Sequence, residues 1–204
     1  MTKPDYFEMN RIGWDQRAKV HLTSKFYDVP GFLDGKSSLS EIDLAELREV
    51  SGRRLLHLQC HFGLDTLSWA RLGAHVTGVD ISPVAIEQAN DLRDQAGLNA
   101  QFVCSNVYDY DRGDETLFDI VYTSFGAVCW LPDLKRWAHP FTDVVNALVG
   151  VGIQIEQLNE FAFSPYNCFE NMQERQPGRF YLQHKGNDIP LVYSLRGRKL
   201  PRSE

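Results

Sequence analysis

Residues 53–80 read RRLLHLQCHFGLDTLSWARLGAHVTGVD. The apolar run Leu55-Leu56-His57-Leu58 predicts a buried strand. A tight segment containing Gly63 follows. The spacing then predicts a helix over Leu64 to Leu72 and a second strand, His75-Val76-Thr77-Gly78-Val79, ending in Asp80. This is a βαβ unit with an acid at the tip of its second strand. A strand, a turn, a helix N-terminus and an acid about 20 residues on is how a nucleotide-like cofactor is held.

Outward from this unit the chain keeps alternating strand and helix. Ser82-Pro83 opens a helix, with serine as N-cap, proline at the first turn and Gly97 as the stop. Gln101 to Cys104 is the third expected strand and Phe118 to Tyr122 the fourth. Leu131-Pro132 opens a helix through about Ala138, and Thr142 is the expected N-cap of another that runs to Val149. Ile153 to Phe161 is a strand. A polar loop rich in Pro, Asn and Gly leads to a last strand, Leu191 to Leu195. No helix separates those two strands, so they are expected to pair antiparallel. Ahead of the βαβ unit, Trp14 to Phe26 has helical spacing, Tyr27 to Gly31 is a turn, and Ser40 to Val50 is a short helix capped by Ser40. Alternating strands and helices imply a parallel sheet. At 204 residues, one domain over 1–204 is the expectation. Within it, 1–50 is an N-terminal helical lid, 51–138 a cofactor-binding half, and 139–204 a helix plus a C-terminal strand pair.

Composition narrows the class. Hydrophobic residues make up 43% and charged residues 24%, as in globular proteins. No apolar run approaches the ~20 residues that span a bilayer, and MTKPDYFEMNR has no apolar signal region. The scattered Cys60, Cys104, Cys129 and Cys168 are expected as reduced thiols, which points to the cytoplasm. A net charge of −6 gives no electrostatic case for a nucleic-acid or membrane partner.

In order and spacing these segments resemble the class I S-adenosylmethionine (SAM)-dependent methyltransferases of small-molecule type. The resemblance rests on LLHLQCHFGLDTLSWARLGAHVTGVDIS, SPVAIEQAN, FVCSNVYDY, FDIVYTSFGAVCWLPDL and SPYNCFENMQERQPGRFYLQHKGNDIPLVYSL. It implies an α/β, Rossmann-like, doubly wound and mostly parallel sheet with helices on both faces and an antiparallel last strand pair. It also implies SAM as cofactor and a small-molecule N, O or S acceptor, unidentified. The family motif acid-x-Gly-x-Gly-x-Gly reads His57-x-Gln59-x-His61-x-Gly63, so one glycine survives. The resemblance puts Gln59, Cys60, His61 and Gly63 under the methionine part of SAM and Asp80 on the ribose hydroxyls. It puts Ile81 against adenine, Asn106 on the adenine edge with Val107 beside the ring, and Ser124 and Phe125 facing the methyl group. The usual fifth strand is missing from this pattern, with the join near Lys135 to His139.

Other readings compete. Trp14, Arg17, His21 and Tyr27 are either a helix side packed on the sheet or a lid, with Trp14 near the sulfonium through cation–π attraction. Tyr166, Asn167 and Phe169 either line a substrate pocket or anchor a loop. Trp130 and Trp137 are expected to pack helices, and Arg196 to Lys199 to be a solvated tail. His57, Cys60 and His61 suggest metal ligands, but His57 and His61 stand about 13 Å apart along a strand, and no metal is expected. A nicotinamide dinucleotide would want more glycines at this turn, and Asp65 would repel its pyrophosphate, so an NAD(P)-dependent oxidoreductase is the weaker alternative. A truncated, inactive homologue that still binds SAM or a partner is the other. Methyl transfer from a sulfonium requires no strong base. His21, Tyr122 and His139 are the nearest candidates, and none is assigned.

Overall fold

The computed structural model describes residues 5–111, 117–124, 127 and 141–199. The chain divides into two compact units, Met1–His139 and Pro140–Glu204. The expected helix Leu131 to Ala138, Phe125, Cys129, Trp130, Trp137, His139 and the Lys135 to His139 join lie outside the described residues.

The first unit holds a parallel sheet of β1 (Arg54–Leu58), β2 (His75–Asp80), β3 (Ala100–Cys104) and β4 (Ile120–Tyr122), in the order β3-β2-β1-β4. Helix α4 (Leu64–Arg71) crosses from β1 to β2, and α5 (Pro83–Ala96) from β2 to β3. Register explains the core. Leu55 lies beside Val76 and Ile120, and Val76 beside Ala100, so these side chains share one face. They cluster with Leu67 and Trp69 of α4 and Leu92 of α5. Leu55, Leu67 and Trp69 have no exposed surface. Burying each such side chain contributes about 1.5–3 kcal/mol. The helix expected after Ser82 is present with the expected ends: the Ser82 hydroxyl accepts the Ala85 N–H, and Gly97 closes it in a left-handed conformation.

The lead-in differs more from expectation. Three helices precede the sheet: α1 (Tyr6–His21), α2 (Val29–Leu33) and α3 (Glu41–Glu46). The first starts well before Trp14, because the Asp5 carboxylate caps it by accepting the Phe7 and Glu8 N–H groups. It stops at His21, where the Thr23 and Ser24 hydroxyls bond to nearby backbone and compete with the helix. The expected turn at Tyr27 to Gly31 is instead the start of α2, capped by Asp28, with Pro30 in its first turn. In α3, Ser40 and Asp43 form a capping box, each side chain accepting the other's backbone N–H. The helix ends at Glu46, shorter than expected, and the chain turns so that Val50 enters the core. Ser40→Ala removes one cap and a hydroxyl donor to Asp43. The expected result is a loss of about 1 kcal/mol, read from the urea midpoint.

In the second unit, α6 (Phe141–Gly150) leads into β5 (Ile153–Phe161). Thr142, the expected cap, is the second residue of that helix. The polar loop holds two short hairpins, β6 (Gln173–Gln176) with β7 (Arg179–Tyr181) and β8 (Gln183–His184) with β9 (Asn187–Asp188). Lys185 and Gly186 both have positive φ, as a two-residue hairpin turn requires. Last comes β10 (Val192–Lys199), antiparallel to β5 as expected. Arg196 to Lys199 are exposed, as expected of a solvated segment, but they are not a tail. They continue this strand, and Arg196 and Arg198 reach Glu156. Among the described residues no helix is long and apolar enough to cross a membrane.

Candidate active site

The sheet changes direction of winding at β1, whose neighbours β2 and β4 lie on opposite sides. Ligands of open α/β sheets bind beyond the carboxyl ends of the strands at such a point. The loop there, 59–63, keeps the backbone shape of a glycine loop with few glycines. Gln59, His61 and Gly63 have φ of 56°, 53° and 80°. For the two non-glycines this left-handed conformation costs about 1–2 kcal/mol each. Backbone hydrogen bonds hold it in place. Cys60 N–H donates to Val79 O, Gly63 N–H to Cys60 O, and His61 N–H to Asp80 Oδ2 at 2.8 Å. The Cys60 thiol is buried, and burial pushes it well above its ordinary value.

Asp80 ends β2 with 8% of its surface exposed. Its Oδ2 accepts from His61 N–H and its Oδ1 from Ser82 N–H at 2.9 Å. Burial raises the carboxyl above its ordinary value, against the pull of these backbone donors. Each oxygen has a second acceptor position, so the carboxylate keeps capacity for further donors. Ile81 follows, partly buried. Beyond β3, the Asn106 amide oxygen accepts the Tyr108 N–H, and Val107 is partly buried beside it. Ser105 N–H bonds to Asp80 O and ties the ends of β3 and β2 together.

Helix α1 lies across these strand ends. Phe7 meets Tyr108 beyond β3, the Ser82 hydroxyl donates to Asp15 at 2.6 Å beyond β2, and His21 Nδ1 is 2.9 Å from His61 Nε2 beyond β1. Trp14 and Tyr27 stand edge-on to His61, with ring centroids 5.3 and 5.7 Å away. Arg17 stacks on Trp14. Three of the four lead-in residues thus converge on the loop that replaces the glycines. The alternative, an apolar helix side on the sheet, does not fit, since Ala18 is the only buried residue of α1.

Behind the loop, His57 is buried, with Nδ1 2.8 Å from Thr66 Oγ1 and Nε2 3.5 Å from Ser124 Oγ. Burial lowers His57 to about 3, and lowers His61 to about 3 as well. Both imidazoles are therefore neutral in the folded chain. An unfolded histidine takes its proton near pH 6.5. The stability these groups hold is complete above about pH 6.5 and falls as pH drops toward about 3. Urea midpoints measured from pH 7 to pH 4 are expected to fall, with a shallower slope in His57→Phe. Among the described residues no group of three or more His, Cys, Asp or Glu is arranged to hold a metal.

Residues 55–147 match the family described as "Methyltransferase domain". That span runs from β1 through the first part of α6 and includes Asp80, Asn106 and Ser124. Over these residues the chain resembles a methyltransferase domain. A ubiquinone biosynthesis O-methyltransferase of Maricaulis maris is 33% identical over 134 residues, 65% of this chain and 50% of the relative. The chain therefore spans half the length of that curated relative. A TehB-like SAM-dependent methyltransferase from Corynebacterium glutamicum has a similar fold, with a TM-score of 0.54 and 17% identity over 76% of this chain and 89% of that one. Magnesium protoporphyrin IX methyltransferase from Synechocystis PCC 6803, solved with bound SAM, gives 0.54 at 12% identity over 88% and 96%.

The first unit also contains groups that sequence reasoning missed. Asp65, considered there only for its effect on a pyrophosphate, accepts a hydrogen bond from Ser38 Oγ at 2.6 Å. Burial lifts it to about 6. Asp43 accepts from the Tyr122 hydroxyl at 2.9 Å. Ser38 and Asp43 come from the lead-in, and no local pattern links them to β4. Tyr122, a candidate base from sequence, is a donor here. Burial and the nearby carboxylates push its phenol far above the ordinary value. His21 is engaged with His61. Tyr166 and Asn167 belong to the second unit, on the segment after Ser164, whose hydroxyl accepts the Tyr166 N–H.

Proposed function

We propose that the first unit binds SAM at the C-terminal ends of β1, β2 and β3, and that the protein transfers the methyl group to a hydroxyl of a small-molecule acceptor. The observation that carries the reading is Asp80. It is a buried carboxylate held by two backbone N–H groups, with acceptor capacity left for a ribose diol. In the same reading, Gln59, Cys60, His61 and Gly63 form the floor under the methionine portion. Ile81, Asn106 and Val107 flank the adenine, and Trp14 of α1 covers the sulfonium. SAM supplies an electrophilic methyl on a sulfur that leaves neutral. The protein's task is then to align the acceptor and exclude water, which suits α1 lying over the strand ends. The similarity to O-methyltransferases favours oxygen over nitrogen or sulfur as the acceptor atom. The inactive-homologue reading drew on the missing fifth strand, whose join lies outside the described residues, and on the depleted glycines; the second ground weakens because Gln59 and His61 hold glycine-like backbone angles.

Calorimetric titration with SAM, S-adenosylhomocysteine and NADH tests the cofactor. Methyl-labelled SAM with a panel of phenols, catechols, amines and thiols tests the transfer. Saturable SAM binding without NADH binding, and label in a hydroxyl acceptor, are the expected results. A chain that binds no SAM sinks the proposal.

A further inference from the structure

We propose that Asp65 takes the proton from the acceptor hydroxyl as the methyl group passes to its oxygen. This rests on the SAM-dependent reading above. Asp65 is the second residue of α4, directly after the loop that follows β1. Ser124 stands just beyond β4, and β1 and β4 are paired with His57 beside Tyr122. His57 of β1 reaches Thr66, the neighbour of Asp65, through one ring nitrogen and Ser124 through the other, so Asp65 and Ser124 lie at the switch point, where ligands of this fold bind.

The other bases nearby are already committed. Asp43 is buried and takes Ser40 N–H and Oγ on one oxygen and the Tyr122 hydroxyl on the other. His57 is 1% exposed and bonded to Thr66. Cys60 is buried, and His21 faces His61. Asp65 is only partly buried, unlike Asp43, His57 and Cys60. Its Oδ1 accepts from the Ser38 hydroxyl, which orients the carboxylate and leaves it acceptor positions.

The electrostatics suit the role. Asp43 from α3, Tyr122 from β4 and Cys60 from the loop face Asp65. None of them is a cation, so nothing among them holds the carboxylate at low proton affinity. A carboxylate that binds its proton near pH 6 is ionised at neutral pH and still basic enough to assist transfer. In the step, a hydroxyl lone pair forms the new C–O bond. The C–S bond breaks with its electron pair going to sulfur, and the hydroxyl proton moves to an Asp65 oxygen. The products are the methyl ether, S-adenosylhomocysteine and protonated Asp65, which returns its proton to water.

The test uses the full chain, methyl-labelled SAM and the phenol and catechol members of the acceptor panel. Asp65→Asn is expected to lower kcat by about 10²-fold or more while SAM affinity, measured calorimetrically, is unchanged. The wild-type rate is expected to rise with pH through about 6 and then level, and the Asn variant to lose that limb. Asp65→Glu is expected to restore part of the rate and the limb. Ser38→Ala keeps the carboxylate and removes a bond that favours its ionised form, so its acid limb moves to higher pH. That variant decides the matter if Asp65→Asn does not fold, and a limb that stays in place counts against the proposal. An Asn variant with the wild-type rate and pH profile overturns it. So does a wild-type protein that binds SAM but methylates only amines or thiols. A wild-type protein that binds no SAM overturns the cofactor reading beneath it.

Discussion

Asp80→Ala is expected to weaken SAM binding at least 100-fold. Two hydroxyl-to-carboxylate bonds are lost at about 1.5–3 kcal/mol each, and about 2.7 kcal/mol already corresponds to 100-fold. The same change has a structural cost. His61 N–H and Ser82 N–H lose their acceptor in a nearly closed site, at about 1–3 kcal/mol for each buried donor left unmade. Lost binding in the alanine variant therefore mixes two effects. Asp80→Asn separates them, because its amide oxygen still accepts one backbone N–H. Calorimetric titration beside urea unfolding is the measurement. A folded Asn variant with weak SAM binding fits the assignment of Asp80 to the ribose diol, and one that binds SAM as tightly as wild type refutes it.

Gly63→Val is expected to destabilise the fold by about 3 kcal/mol or more, or to prevent soluble expression. A Cβ on Gly63 would stand 2.6 and 2.7 Å from two carbons of the Phe102 ring and 3.1 Å from the Ala89 Cβ. No relaxed structure accepts such contacts, and Phe102 and Ala89 belong to packed elements, β3 and α5. The φ of 80° adds a second penalty, which is severe for a β-branched side chain. Unfolding by urea or heat reads the sum. Combining the change with Phe102→Leu is expected to recover the steric part and leave the backbone part, since the φ is set by the turn into α4. Gly63 therefore survives in a loop where Gln59 and His61 do not need to be glycine. All three have positive φ, but only Gly63 has a ring packed against the place where its side chain would be.

The sheet half was legible because its signals are local. Leu55 to Leu58 is a short apolar run, Ser82-Pro83 is a start signal and Gly97 a stop, and each acts within a few residues of itself. Asp80 was legible for the same reason, as an acid at a strand end. The lead-in was less so. A single capping residue, Asp5, moved the start of α1 well upstream of the apolar spacing that suggested it. The hairpins of 173–188 are short and carry little hydrophobic alternation, so their sequence looks like loop. Gln59 and His61 looked like defects in a glycine motif, because residue type reports on backbone angles only as a preference. Backbone bonds from Cys60 and His61 to β2 hold those angles despite the side chains.

The sequence by itself determined the βαβ frame and the strand that ends in Asp80, since periodicity, caps and turns act over neighbouring residues. Only the tertiary structure decided that α1 crosses the strand ends through Asp15 and His21, that Ser38 meets Asp65 and that Asp43 meets Tyr122. Those contacts join residues far apart in the chain. They exist because folding buries the groups together and leaves each hydrogen-bonding group to find a partner there, a pairing that no local pattern encodes.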